Sequence, residues 1–336
     1  MILRCQPGYE LLLERELRPH GLAMGANGGG WIATANTQET ENACPDLCFA
    51  HSALLAPREI TGESVNALAA RIAEYFLESA RTERFDAQWP LAFDCAANLD
   101  GLGRRADAVE KAFNELLRKR MSRVAKLAAP PARLSPFSPS PLRGLFVYFT
   151  DFQRAHVARE NISYGQRRMA DDPLAPSRSY LKVEEAYGVI GREPAPGETV
   201  VDLGAAPGGW SYSAARRGAR VVAVDNGPLK AGALNNPLIT HLQQDAFHFD
   251  PTQSDATSNA PADWLFCDLV EDPRHVLENI LLPWVERRWC KHYIVNLKFG
   301  RTDPVALLSE VRARIPAARI RHLYHDREEF TLVASL

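Results

Sequence analysis

Five stretches of this chain place polar, chemistry-bearing residues directly behind short apolar runs. That is the arrangement by which open α/β sheets present a site at the carboxyl ends of their strands. Val200-Val201-Asp202-Leu203 runs into the glycine turn Gly204-Ala205-Ala206-Pro207-Gly208-Gly209, and Val221 to Val224 ends on Asp225. Glycines let the backbone pass close under a nucleoside, and an acidic residue about 20 positions later can accept from both ribose hydroxyls. Asp245 follows a third predicted strand beside Phe247, Asp268 ends Trp264-Leu265-Phe266-Cys267, and Lys298 follows Tyr293-Ile294-Val295-Asn296-Leu297. Taken singly, Asp245 also reads as a surface turn and Lys298 as a lysine that closes a strand.

Two ligand classes compete for the glycine turn. A dinucleotide brings a pyrophosphate and favours GxGxxG opening onto a helix N-terminus. Here Ala206 takes the place of the second glycine and Pro207 interrupts the turn. S-adenosylmethionine carries a sulfonium cation and no phosphate, so strand-end carboxylates such as Asp202, Asp225, Asp245 and Asp268 attract it rather than repel it.

Strand, glycine turn, helix and strand in this order mark a doubly wound parallel sheet over residues 169–336, with a helix beginning near Trp210. The chain has 336 residues, which suggests two or three domains. The first break is placed at residue 80 and the second in the Met169 to Ser179 stretch, which carries Pro173 and Pro176. In the first part Ile2 to Cys5 reads as a strand, Tyr9 to Leu17 as a helix and Trp31 to Ala35 as a second strand. Val65, Leu68, Ala69, Ile72 and Phe76 share one helix face, with Ser64 placed as its cap. Pro90 to Ala97 and Leu145 to Phe149 read as strands. Between them a long helix from Arg105 turns Val109, Ala112, Phe113, Leu116, Leu117, Met121 and Val124 inward.

The outer face of that helix carries Arg104, Lys111, Arg118, Lys119 and Lys126. Charge on a solvated helix face is routine, so this stripe acquires meaning for RNA binding only if a catalytic domain with an RNA substrate follows. Residues 101–160 hold 12 Lys+Arg against 5 Asp+Glu, a net +7 in a chain whose total is -2. Any polyanion site is therefore local. Proline and serine cluster over 128–143, and Pro251 to Asn259 reads as a polar surface insertion. The six scattered cysteines (Cys5, Cys44, Cys48, Cys95, Cys267, Cys290) lack zinc-site spacing and read as reduced thiols, so no metal is expected. No apolar run reaches the roughly 20 residues of a membrane span, and charge and a turn come too early for a signal peptide. The expectation is a cytoplasmic protein. Its oligomeric state is left open, with a monomer as the default.

Five ordered motifs carry a family resemblance. They are Ser177-Arg178-Ser179-Tyr180-Leu181-Lys182-Val183-Glu184-Glu185-Ala186, Asp202 to Trp210, Cys267-Asp268, Asn296-Leu297-Lys298 and Tyr324-His325-Asp326-Arg327-Glu328-Glu329. Together they resemble the FtsJ-like ribose 2'-O-methyltransferases, and more narrowly the RlmM family of bacterial large-subunit (23S) rRNA methyltransferases. The resemblance covers the chain from about 170 to the end and is looser before 165. Position by position it implies a Lys182-Asp268-Lys298-Glu328 tetrad with Lys298 as the proton acceptor. It also implies S-adenosylmethionine contacts at Ser179, Gly204, Ala206, Pro207, Gly208, Gly209, Asp225, Asp245 and Asp268. A ferredoxin-like domain (1–80), a THUMP-like RNA-binding domain (81–168) and a cytidine of the peptidyl-transferase region as target are implied as well. The departures are Ala206, where the family pattern has cysteine, and the 251–259 insertion.

A non-catalytic RNA-binding or ribosome-assembly factor on the same fold is the reading from another class, since fold alone does not establish activity. A different RNA as substrate is a further alternative. Presence of all four tetrad positions with the glycine turn favours an enzyme. Methylation of a base or a protein calls for an Asn-Pro-Pro-Tyr type loop, and none follows Asp268.

Overall fold

The computed structural model describes residues 1–34, 44–131, 141–254 and 261–336. Ala35, Arg133, the Ser135 to Ser140 part of the proline-serine cluster and Asp255 to Asn259 of the insertion lie outside the described residues. Two compact units emerge, Met1–Gly165 and Gln166–Leu336. The break precedes the Met169 to Ser179 stretch because backbone bonds tie its start to the second unit. The Arg167 N–H donates to Glu185 (3.0 Å) and the Met169 N–H to His325 Nε2 (3.0 Å).

The first unit holds β1 (Ile2–Arg4), β2 (Met24–Gly28), β3 (Trp31–Thr34), β4 (Ser52–Leu55), β5 (Arg58–Thr61), β6 (Trp89–Cys95), β7 (Ala128–Ala129), β8 (Leu142–Phe149) and β9 (Arg154–Ser163). Its helices are α1 (Glu10–Leu17), α2 (Val65–Ser79), α3 (Leu102–Arg120) and α4 (Ser122–Leu127). One sheet runs β2-β3-β1-β4-β9-β8-β6-β7, with β5 also paired to β9. The expected break at residue 80 is corrected by this ladder. β4 pairs antiparallel with β9 from Ser52 opposite Ser163 to Leu55 opposite Glu160, so 1–80 and 81–168 share their strands. They also share a core, in which Ile2, Trp31 and Leu54 belong to the same cluster as Phe76, Phe113 and Phe149.

Ser64 caps α2 as its position suggests, its hydroxyl accepting from the Ala67 N–H at 3.1 Å. The long basic helix, by contrast, is two helices. At Met121 the backbone leaves helical geometry (φ -144°, ψ 65°), and the chain resumes as α4, where the Val124 carbonyl accepts from Trp89 Nε1 at 2.9 Å. Lys126 therefore rides a separate helix from Arg104, Lys111, Arg118 and Lys119.

The second unit holds β10 (Thr199–Leu203), β11 (Arg220–Val224), β12 (Ile239–Leu242), β13 (Ala262–Cys267), β14 (Cys290–Lys298), β15 (Arg319–Arg321) and β16 (Glu329–Ser335). Its helices are α5 (Tyr180–Ile190), α6 (Gly209–Arg216), α7 (Pro273–Val276), α8 (Leu282–Glu286) and α9 (Pro304–Arg314). The sheet order is β12-β11-β10-β13-β14-β16-β15, parallel from β12 to β14 and antiparallel thereafter. This is the doubly wound sheet expected from the apolar runs. Those runs are continuous because both faces are covered, with Val200, Val221, Trp264, Phe266 and Ile294 in one core. Strand order reverses between β10 and β13, which opens a crevice at their carboxyl ends. No helix of the described residues is long and apolar enough to cross a membrane.

Two tests follow from this packing. Phe76 is fully buried and stacks on Trp89 at a centroid distance of 5.0 Å. Phe76→Ala should cost about 3–5 kcal/mol and lower amide-exchange protection of β1 and β9 along with β6. Protection retained in β1 alone would restore the two-domain reading. In the second unit, burial pushes the Asp202 carboxyl up to about 7, although it accepts the Ser211 hydroxyl at 2.6 Å. An unfolded aspartate titrates near about 3.9, so across that window the folded form keeps a proton that the unfolded chain has released. Stability therefore falls as pH rises from about 4 to about 7. Asp202→Asn should flatten that part of the pH profile of the melting temperature, and an unchanged slope would refute the assignment.

Candidate active site

At the carboxyl end of the second sheet, four charged side chains come within ion-pair distance. Asp268 follows β13 directly, Lys298 closes β14, Lys182 projects from the first turn of α5 and Glu329 opens β16. Lys298 Nζ donates to Asp268 Oδ1 at 2.5 Å and to Glu329 Oε2 at 3.3 Å. Lys182 Nζ stands 2.7 Å from Glu329 Oε1 and 3.3 Å from Asp268 Oδ2. Each lysine bridges both carboxylates.

The fourth member of the expected tetrad is thereby corrected from Glu328 to Glu329. In the antiparallel β14–β16 pair, Glu329 lies directly opposite Lys298. Opposed residues share a face of the sheet, whereas chain neighbours point to opposite faces. Glu329 is 6% exposed; Glu328 is exposed, and its carbonyl accepts from the Phe299 N–H at 2.7 Å.

Burial raises the cost of charge on Asp268, but Lys182, Lys298 and the Ser179 hydroxyl (2.6 Å) outweigh it and hold its carboxyl below the usual aspartate range. Lys182 behaves in the mirrored way. Burial would lower its pKa, yet Asp268 and Glu329 raise it above the ordinary lysine value, so it remains a fixed cation. The Lys298 side chain is 23% exposed and that of Lys182 11%, which makes Lys298 the more accessible amine.

The glycine turn leads from β10 to α6. Gly204 (φ +79°) and Gly208 (φ +105°) occupy the left-handed region, and a Cβ at Gly208 would stand 2.4 Å from that of Ala233. Gly209 starts α6 against Ser177 and Tyr180, and the cis peptide Ala206–Pro207 lies between. Asp225 accepts from the Ala206 N–H (2.9 Å) and the Gly227 N–H (2.7 Å). Since a carboxylate has about four lone-pair sites, it retains acceptors for a diol. Asp245 is exposed and caps a short turn, accepting from the Phe247 N–H at 2.9 Å. Ser179 links the two parts of the site, its hydroxyl donating to Asp268 and its carbonyl accepting from Trp210 Nε1 at 3.0 Å. Asp225, Asp245 and the ionised Asp268 make the strand ends around the turn carboxylate-rich, which fits a cationic cofactor of the S-adenosylmethionine type better than a dinucleotide.

Sequence reasoning missed three residues behind the cluster. Asn296, Thr331 and Asp326 are at most 1% exposed and hydrogen-bonded in series to Asp268. The available signal was an asparagine inside an otherwise apolar strand. Glu185 also went unnoticed: it accepts the Tyr324 (2.9 Å), His325 (3.2 Å) and Arg167 (3.0 Å) N–H groups, and burial pushes its carboxyl up to about 8. It fixes the segment before β16 to α5.

Residues 175–290 match the model of the FtsJ-like methyltransferases. Over 368 residues the chain is 33% identical to the "Ribosomal RNA large subunit methyltransferase M" of Stenotrophomonas maltophilia (strain R551-3), covering 100% of this chain and 96% of that protein. The protein of the same name from Xanthomonas oryzae pv. oryzae (strain PXO99A) is 30% identical over 364 residues, covering 99% of this chain and 98% of its own. Solved structures align more weakly. TrmN from Thermus thermophilus, at 15% identity, covers 100% of this chain and 99% of its own with a TM-score of 0.35, so the assignment rests on the full-length relatives. On that ground the chain belongs to the ribosomal RNA large subunit methyltransferase M family, within the FtsJ-like methyltransferases.

Proposed function

We propose that this chain methylates a ribose 2'-hydroxyl of large-subunit rRNA, at a cytidine of the peptidyl-transferase region, using S-adenosylmethionine. The observation that carries this reading is the pair of lysines sharing two carboxylates at the mouth of the crevice. Direct transfer of a methyl group to an alcohol needs alignment of the hydroxyl and removal of its proton. The cofactor supplies an electrophilic methyl on a sulfonium cation. Gly204, Ala206, Pro207, Gly208 and Gly209 form the floor for its nucleoside, Asp225 accepts from the ribose, Asp245 lies beside the adenine with Phe247, and Ser179 and Asp268 face the charged end.

Lys298 takes the proton of the 2'-hydroxyl at Nζ as the oxygen bonds to the methyl carbon, and its exposure lets that proton pass on to water. Asp268 and Glu329 aim the amine. Lys182 keeps both carboxylates ionised and stands beside the oxygen as charge develops there. The large-subunit rRNA is gripped by the first unit through the part of the basic surface that carries no internal partner. Arg143 and Arg159 are taken up by Glu83, and Arg143 also by Glu160, whereas Arg104, Lys111, Arg118, Lys119 and Arg120 on α3 make no ion pair among the described residues.

Methyl transfer to unmodified large-subunit rRNA tests the tetrad. Lys298→Ala and Lys298→Arg should lose about 10²-fold or more in kcat with cofactor binding kept. Glu329→Gln should fall about 10-fold or more while Glu328→Gln stays within about 2-fold of wild type. Near-normal turnover of the Lys298 variants would remove the base, and reversed glutamate phenotypes would return the role to Glu328. Affinity for RNA should drop steeply with salt, by about 10-fold or more between 50 and 200 mM, and cofactor affinity should barely move. A flat salt response would dismiss the α3 surface.

A further inference from the structure

Behind the tetrad lies a buried polar series that ordinary core packing does not require. Asn296 is fully buried in β14, and its Nδ2 donates to Asp268 Oδ1 at 3.2 Å. Its Oδ1 meets the Thr331 hydroxyl of β16, the residue directly opposite it in the ladder. Thr331 Oγ1 in turn lies 3.2 and 3.0 Å from Asp326 Oδ1 and Oδ2. Asp326 is 1% exposed, and its Oδ2 also accepts from the Leu323 N–H at 2.9 Å.

Counting protons along this series fixes its direction. The opposite amide orientation of Asn296 would set its oxygen against the Asp268 carboxylate, so Nδ2 must face Asp268 and Oδ1 must face Thr331. Oδ1 is then an acceptor and takes the single hydroxyl proton of Thr331. The oxygen of Thr331 has no donor left for Asp326. Two buried oxygens about 3 Å apart repel unless one of them brings a hydrogen, and only Asp326 can.

We propose that Asp326 is a neutral carboxylic acid that donates through Thr331 and Asn296 to hold the Asp268 carboxylate in its working position, making all three positioning residues of the transfer reaction. This rests on the methyl-transfer reading above and deepens it. The charges around Asp326 agree. Glu329, at the start of β16, disfavours a further anion, Glu185 from α5, whose own carboxyl is raised by burial, brings no compensating positive charge, and Lys182 from α5 is the cation that faces it. Asp268 and Glu329 already take up the charge of the neighbouring lysines, so an ionised Asp326 would add a buried negative charge with no cation left to compensate it. Burial and Glu329 raise its pKa well above that of an ordinary aspartate.

The protonation state is read without any turnover. The infrared carbonyl band of a protonated acid should be present in wild type at pH 7 and lost in Asp326→Asn, so that it stands as a positive band in the wild-type minus Asp326→Asn difference, where other buried acids cancel. Absence of a difference band overturns the proposal. The positioning role is read by kinetics. Thr331→Val should lower kcat by about 10-fold or more with little change in the KM for S-adenosylmethionine, and Thr331→Ser, which returns the hydroxyl, should recover most of it. Equal turnover of Thr331→Val and wild type would overturn it, as would a Thr331→Ser variant no better than valine. If Thr331→Val does not fold, the serine variant and the infrared difference still decide. A wild-type protein inactive on every rRNA would instead sink the methyl-transfer reading and leave the infrared result standing.

Discussion

The site is organised around one buried anion. Asp268 accepts from four side chains, Ser179, Lys182, Asn296 and Lys298. A carboxylate removed from water is costly unless its charge and its lone pairs are both met. Here both are, and the carboxyl stays ionised in spite of its burial. Each of the four partners comes from a different point of the fold: the end preceding α5, its first turn, the middle of β14 and the end of β14. Satisfying one carboxylate therefore fixes the relative positions of α5, β13 and β14. The precision a transfer reaction needs is a consequence of the same electrostatics that makes the anion tolerable.

The antiparallel edge of the sheet supplies the remaining carboxylate. β10, β13 and β14 are parallel, so all of them deliver their last residues to the crevice. A further parallel strand would do the same. β16 runs the other way, so its first residue reaches that end, and register with β14 sets Glu329 beside Lys298 and Thr331 beside Asn296. Two successive same-face positions of β16 thus serve one site, the first at its surface and the second beneath it. Glu185 anchors the preceding turn by two backbone donors, the Tyr324 and His325 N–H groups, which holds the start of β16 in place.

How far these features could be read from the residues alone depended on whether they were local. The strands β10, β11, β13 and β14 were legible because each is an apolar run ending on Asp202-Leu203, Asp225, Asp268 or Lys298, and the cap at Ser64 was legible because it acts three residues away. Glu328 against Glu329 was not, since the facing residue is decided by pairing with β14. The same holds for the single sheet of the first unit, where the β4–β9 ladder joins residues more than a hundred positions apart. The break at Met121 is hidden for another reason: inward-facing Val124 continues the helical period, while the bond between its carbonyl and Trp89 depends on a strand elsewhere. Net charge misled in a similar manner. Arg143 and Arg159 counted toward a basic segment, yet Glu83, outside that segment, claims both.

A protein that must attract a cation and a polyanion cannot do both with one surface potential. Interactions between exposed charges fade over a Debye length, about 8 Å at physiological ionic strength. Charge therefore acts locally, and each unit is read by what its own surface leaves unpaired. The carboxylates Asp225, Asp245 and Asp268 sit at strand ends in the second unit, and the unpartnered basic residues of α3 sit in the first. A helix of 19 residues is about 28 Å long, and α3 carries Arg104, Lys111, Arg118, Lys119 and Arg120 along that length. The near-zero total charge is what such a division produces, so it says nothing against binding RNA. What matters is where charge is left over after internal pairing, and on α3 it is left on the solvent side.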